Sequence, residues 1–357
     1  MVDIPSEGWI TNDKKLIRIP PAARFQSFPY ISVYIIFLAF VYVVTVVCNI
    51  LLVYIIAVDR RLHTPKFLAV GNLAVIDIML NTSTIPGMIK TFLFKDNFVP
   101  FNQCLLQMYF HYAFLALESY SLATIPSMIK IFLIKDNFIP FNLCLVQMFF
   151  YYVFGTLESY ALAVLAYDRL IAICFPLRQN SVNTLRSMSC IVGLTWSFAL
   201  GIIAFATGII TRLSFCNSLR VFSYFCDYAP VFRLACNDYT MQWSVASLLT
   251  FLLLIGPFTF ILLSYVTILV TVFRMKSLDS RVKALATCVE HIILVAVFYI
   301  PLITIFMIGF YLRLIDPDQR VLSLSLASCL PPCINPIVYS LKTKDIKIRA
   351  LALLRKK

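Results

Sequence analysis

The chain has 357 residues, of which 61% are hydrophobic and 13% charged, with a mean hydropathy of +0.88 and a formal net charge of +13. A water-soluble globule of this length could not hide that much apolar surface, because most of any globule's area still faces water, so soluble folds are excluded. The basic excess does not point to nucleic acid either. It sits at the ends of apolar runs and in the terminal segment KTKDIKIRALALLRKK, where anionic lipid headgroups are the natural partner.

Residues 1–30 are polar and contain prolines, and are read as a mostly disordered extracellular segment. Ile31–Val58 is nearly free of charge; it starts too late and runs too long for a cleavable signal core, and is the first predicted span. Phe67–Phe94 is the second. From Thr84 the chain repeats itself: Thr84–Ala123 is followed without a gap by Thr124–Ala163, and about 28 of 40 positions are identical. Two units are too few for a solenoid, so this is a local tandem duplication inserted into another fold.

The later spans are Cys144–Cys174, Met188–Ile210, Met241–Phe273, Val282–Leu312 and Val321–Leu341. Each reaches about the 20 residues a helix needs to cross a bilayer, and the short alternating segments of a β-barrel do not occur. The predicted fold is an all-α membrane protein, a seven-transmembrane helix bundle over residues 31–341, with a basic cytoplasmic tail at 342–357. The duplicated segment is expected to add a helical hairpin before the third helix. Cys104–Ile134 could instead be an eighth span, interrupted only by Glu118, Pro126 and Lys130, which would invert everything before it.

With the N-terminus outside, the inner loops carry Arg60, Arg61, Lys66, Arg169, Arg178, Arg186, Arg274, Lys276, Arg281 and Lys283, besides the tail. The positive-inside bias therefore places the N-terminus outside and the C-terminus in the cytoplasm of a multi-pass membrane protein.

Of eleven cysteines, Cys48, Cys190 and Cys288 lie mid-span and read as small packing residues. Cys216, Cys226 and Cys236 share one long polar loop, and with a fourth cysteine at the outer end of the third span they make two bridges. Cys104 and Cys144 compete for that place. About 25 helical residues, roughly 37 Å, separate Cys144 from Arg169, which puts the thiol at one surface and the arginine at the other. The expected pairs are Cys144–Cys226 and Cys216–Cys236, with Cys104 redundant.

The third span ends AYDRLIAICFPLR. KALATCVEHI opens the sixth span, Ser264-Tyr265 closes the fifth, PPCINPIVYSLK ends the seventh, and Asn49 and Asp77 lie inside the first two. Together with the three-cysteine loop, these resemble the rhodopsin-like G-protein-coupled receptors and, within them, the odorant receptors, fish ones especially. Where that family has Tyr after Asp-Arg and His before Pro-Leu, this chain has Leu170 and Phe175, and Lys66 and Ala69 replace apolar or aromatic residues early in the second span.

The resemblance implies an odorant-activated receptor. A small molecule bound between helices three, five and six would shift a helix-packing equilibrium and activate a heterotrimeric G protein, of the stimulatory olfactory type that raises cAMP. Its partners are then the odorant, the G protein and membrane lipids. The switch would use Asp168, Arg169, Tyr265, Asn335, Pro336 and Tyr339, with Arg169 paired to Asp168 at rest.

Counting along the helices places the ligand against Met148, Tyr151, Tyr152, Gly155 and Thr156, with Thr250, Tyr299, Ile303 and Phe306 opposite. No charged residue is among them, which favours a neutral or weakly polar ligand. The carboxylates Asp77 and Glu158 are costly inside a membrane unless protonated, paired or bound to a cation. By the resemblance they form a sodium site with Asn49 and Asn335, sodium acting as an allosteric modulator; a protonated, hydrogen-bonded acid is the other reading. No other cofactor is expected.

A transporter should show inverted repeats, whereas this repeat is direct and adjacent. An enzyme needs a nucleophile or metal constellation, but His63, His111 and His291 are scattered and neither H-E-x-x-H nor G-x-S-x-G occurs. The duplication leaves one alternative within the receptor reading, a non-functional or trafficking-defective variant.

Overall fold

The computed structural model describes residues 16–18, 31–93, 138–215, 226–306 and 317–342. Seven long helices make up the bundle: α1 Ile31–Val58, α2 Pro65–Leu93, α3 Phe141–Cys174, α4 Leu185–Ile210, α5 Thr240–Arg274, α6 Leu278–Thr304 and α7 Pro317–Lys342. Helices α1 to α6 are each long and apolar enough to cross a membrane unaided. Helix α7 is less apolar, contains Pro331, Pro332 and Pro336, and packs against α1, α2 and α6.

The helix starts follow local chemistry. Pro65 opens α2, where its missing N–H has no intrahelical partner to lose. The Thr184 side chain caps α4 by accepting from Ser187 N at 3.1 Å, and Ser277 caps α6 by accepting from Ser280 N at 3.4 Å. The predicted sixth span, Val282–Leu312, starts one turn late because Ser277 and the acidic first-turn Asp279 were not read as a cap.

Helix α3 is the hub, packing on α2, α4, α5 and α6. Its neighbours bury Leu73, Ile76, Leu157, Leu162 and Tyr299 completely or nearly so. The opposite helix faces remain apolar as well: Ile36, Phe40, Leu263 and Phe273 are more than 40% exposed, as lipid-facing side chains would be.

Helix α5 is a continuous rod only because it changes register. Phe251–Ile255 is a π-turn, followed by Gly256 and Pro257. Pro257 has no N–H, so it can serve neither Leu253 O in α register nor Leu252 O in π register. Both carbonyls accept hydroxyls from α3 instead, Leu253 O from Ser159 at 2.8 Å and Leu252 O from Tyr160 at 3.2 Å.

In the N-terminal segment, Leu16–Arg18 forms strand β1, which pairs antiparallel with β2, Phe138–Pro140, with Ile17 opposite Ile139. This ties part of a segment expected to lack structure to the residues leading into α3. The repeat can be placed at its two ends: Thr84–Leu93 forms the last turns of α2, and Phe141–Ala163 the first two-thirds of α3. The first copy thus begins as a helix end and the second finishes as a helix start. The expected hairpin, with Cys104, falls at residues 94–137, outside the described residues.

Candidate functional site

A cavity of about 130 Å³ lies beside α3, toward its Cys144 end. Tyr151, Tyr152, Gly155 and Thr156 share one face of α3 and form a wall of it. A Cβ at Gly155 would meet nothing within 4 Å, so this glycine leaves space open on the cavity side. The first copy of the repeat carries Leu115 and Ala116 where the second has Gly155 and Thr156. Thr250 and Leu253 of α5 and Phe298 and Leu302 of α6 face this wall, with Phe306 just beyond the end of α6.

Three residues expected at the ligand are elsewhere. Met148 is fully buried in the cluster under the loop, with Cys144, Cys226 and Phe232. Tyr299 stands behind the wall, where its hydroxyl meets Ser159 Oγ at 2.7 Å. Ile303 packs on the core and does not line the cavity. The cavity also reaches helices the sequence reading left out, through Ile203 and Ala206 of α4 and Ala327 and Ser328 of α7. Tyr151 spans that gap, its hydroxyl 3.3 Å from Ser328 Oγ.

The roof comes from the loop. A disulfide joins Cys144 to Cys226, and Cys226 N donates to Gln147 Oε1 at 3.3 Å. Cys236 is also in a disulfide; its expected partner, Cys216, lies outside the described residues. The bridge delivers Asp227 and a helical turn, Tyr228–Phe232, over the cavity. Asp227 is 1% exposed and accepts from the Tyr152 hydroxyl at 2.6 Å. The cavity therefore contains a charged residue, contrary to expectation. Burial pushes the Tyr228 phenol above its ordinary range, so this ring stays neutral.

Below the cavity is a second polar group. Asn335 Nδ2 donates to both carboxylate oxygens of Asp77, at 3.1 Å each. Asn49 Nδ2 donates to Thr45 O at 3.0 Å and to Pro332 O at 3.1 Å. Pro332 O is the carbonyl that Pro336 cannot serve, so an α1 amide repairs a gap in α7. Glu158 is fully buried within electrostatic reach of Asp77. Neither of its oxygens has a hydrogen-bond partner among the described residues, nor does Asn335 Oδ1. Oxygen acceptors without donors, two of them on the Glu158 carboxylate, suit a hard cation.

At the far end of α3, Asp168 is 3% exposed and accepts from Asn183 Nδ2 at 2.6 Å. No Asp168–Arg169 ion pair forms among the described residues, which corrects the expected resting pair. Asn183, in the turn before α4, supplies a neutral donor for a carboxylate that would otherwise be buried alone. Half-buried Arg169 instead acts electrostatically on His291 of α6, and His291 Nδ1 lies 2.6 Å from the Tyr265 hydroxyl of α5. Pro336 and Tyr339 fall near the end of α7. Sequence reasoning quoted His291 inside a motif without giving it a role, and missed Asn183, Ser159 and Asp227.

Comparisons with known proteins agree with one another. The family model described as olfactory receptor matches residues 38–124 and 108–357, two overlapping matches that meet at the repeat. Human olfactory receptor 1M1 is 31% identical over 309 residues, 86% of this chain and 84% of that one. Human olfactory receptor 51E2 is 33% identical over 350 residues, 95% of this chain and 92% of that one. Rat olfactory receptor 1496 is 29% identical over 313 residues, covering 87% and 86%. A seven-helix bundle with a roofed cavity at one end and Arg169 at the other, matched over nearly its whole length in this way, is a multi-pass membrane receptor and no enzyme: the chain belongs to the olfactory receptor family.

Proposed function

We propose that this chain is an odorant-activated G-protein-coupled receptor of the plasma membrane, with the cavity facing outward and Arg169 facing the cytoplasm. The observation that carries the reading is a continuous path along α3. Tyr152 and Thr156 line the cavity, Ser159 bonds α5 and α6 directly below, and ten residues further on Arg169 acts electrostatically on His291, which bonds Tyr265. A ligand that repacks α5 or α6 against this hub changes what surrounds Arg169, and so the surface offered to a heterotrimeric G protein. Arg60, Arg61, Arg178, Arg186, Arg274 and Lys276 gather at the Arg169 end, which supports the orientation. The stimulatory olfactory G protein that raises cAMP is the transducer of this reading.

Sodium is the modulator of this reading. Asp77, Glu158, Asn335 and Asn49 would hold it, and its charge would offset two carboxylates buried close together. Arg169→Ala tests the receptor function. Cells carrying the parent should raise cAMP to a mixture of six- to eight-carbon alcohols, ketones, aldehydes and amines; cells with the variant should not, at equal surface expression. Equal responses in the two would overturn the mechanism.

A further inference from the structure

The roof of the cavity has a chemistry that narrows the ligand class, given the receptor function proposed above. Asp227 is the only residue carrying a full charge among the described residues that line the cavity. Its place is fixed by the neighbouring Cys226 bridge, and its side chain does not cap the helical turn it begins. The carboxylate accepts from the hydroxyl of Tyr152, which also lines the cavity.

Three tyrosines line the same cavity as Asp227. Tyr151 and Tyr152 have ring centroids 5.4 Å apart at 87°, and Tyr152 and Tyr228 are 6.4 Å apart at 80°. Rings set nearly perpendicular present π-faces from different directions. The Tyr228 hydroxyl, in a residue 7% exposed, has no hydrogen-bond partner among the described residues. The floor, with Leu253, Leu254 and Phe298, is apolar.

A buried carboxylate repels an anionic ligand and attracts a cation strongly, because little water screens it. Aromatic faces attract alkylammonium groups in the same way. We propose that this cavity recognises small amines in their protonated form. The ammonium sits at Asp227 among Tyr151, Tyr152 and Tyr228, and the hydrocarbon body lies on the apolar floor. A cavity of about 130 Å³ takes a ring-sized body, since one of about 150 Å³ takes benzene.

The test uses the full-length, surface-tagged chain in cells with a cAMP reporter, and three probes on one skeleton: cyclohexanemethylamine, cyclohexanemethanol and cyclohexanecarboxylic acid. In the parent the amine should be about tenfold more potent than the alcohol, and the acid inactive. D227N keeps the volume and an acceptor for Tyr152, and should cut the amine-to-alcohol potency ratio by about tenfold. Tyr228→Leu should cut it by about threefold and decides the matter should D227N fail to reach the surface. An unchanged ratio in these variants, or an acid as potent as the amine, overturns the assignment. A response to the alcohol alone also overturns it while leaving the receptor function standing; silence to all three probes overturns it too, and the mixture experiment with Arg169→Ala judges the receptor function separately.

Discussion

Ser159→Ala should loosen the bundle at the level where α3, α5 and α6 meet. Ser159 Oγ donates to Leu253 O at 2.8 Å and meets the Tyr299 hydroxyl at 2.7 Å; the Tyr299 hydroxyl also reaches Ser159 O at 3.2 Å. Alanine removes both Oγ contacts and adds no atom, so no clash confuses the result. Leu253 O cannot fall back on the N–H four residues on, because that residue is Pro257. Hydrogen bonds inside membrane bundles are worth about 0.6 kcal/mol on average and up to about 1.7, and a carbonyl left buried adds to the loss. For two bonds this gives about 2 kcal/mol, a fall in Tm of roughly 4–8 °C for the purified receptor in detergent. Tyr299→Phe removes both contacts of the Tyr299 hydroxyl but leaves Leu253 O served by Ser159, and should lower Tm by less, roughly 2–4 °C, with the double variant falling short of the sum. Ser197→Ala is the control, since the Ser197 hydroxyl only back-bonds to Gly193 O within its own helix. A Ser159→Ala receptor within about 1 °C of the parent would refute the claim that this hydroxyl repairs α5.

If Asp77 and Glu158 hold sodium, raising sodium should lower the potency of an active probe in the parent and not in Asp77→Asn; an equal effect in both would leave a protonated, hydrogen-bonded acid as the explanation. Asn183→Ala strips Asp168 of its donor and lets it turn to Arg169, so the maximal cAMP response should fall at constant surface expression; an unchanged maximum would mean that this contact does not bear on the switch. Deleting residues 84–123 removes the last turns of α2 with the first copy and joins Ser83 to Thr124, so that TIPSMIKIFL of the second copy replaces TIPGMIKTFL. It should raise the fraction of receptor at the cell surface, measured by tag staining, and a lower fraction would show that the first copy supports the bundle.

Six of the seven spans, and the start of the remaining one, the sixth, were legible in the sequence to within about one turn, because a bilayer admits only long apolar runs that satisfy their own backbone. The expected end of the sixth, Leu312, lies outside the described residues. The place of Cys144 at one end of α3 and Arg169 at the other follows from helix rise alone. The sequence could not show how each helix is rotated about its own axis. A helix apolar on every side gives no preferred face, so Met148 and Ile303 were expected at the ligand although packing turns them away. Asp227 was within reach of inference, since the residue after a cysteine bridged to the top of α3 must lie near that helix. Its descent onto Tyr152, the exchange of Asp168 from Arg169 to Asn183, and the rescue of Leu253 O and Pro332 O by side chains of other helices depend on contacts between residues far apart in the chain. Such contacts are chosen by which unpaired polar groups the packed bundle brings within hydrogen-bond distance, and only the tertiary structure sets that.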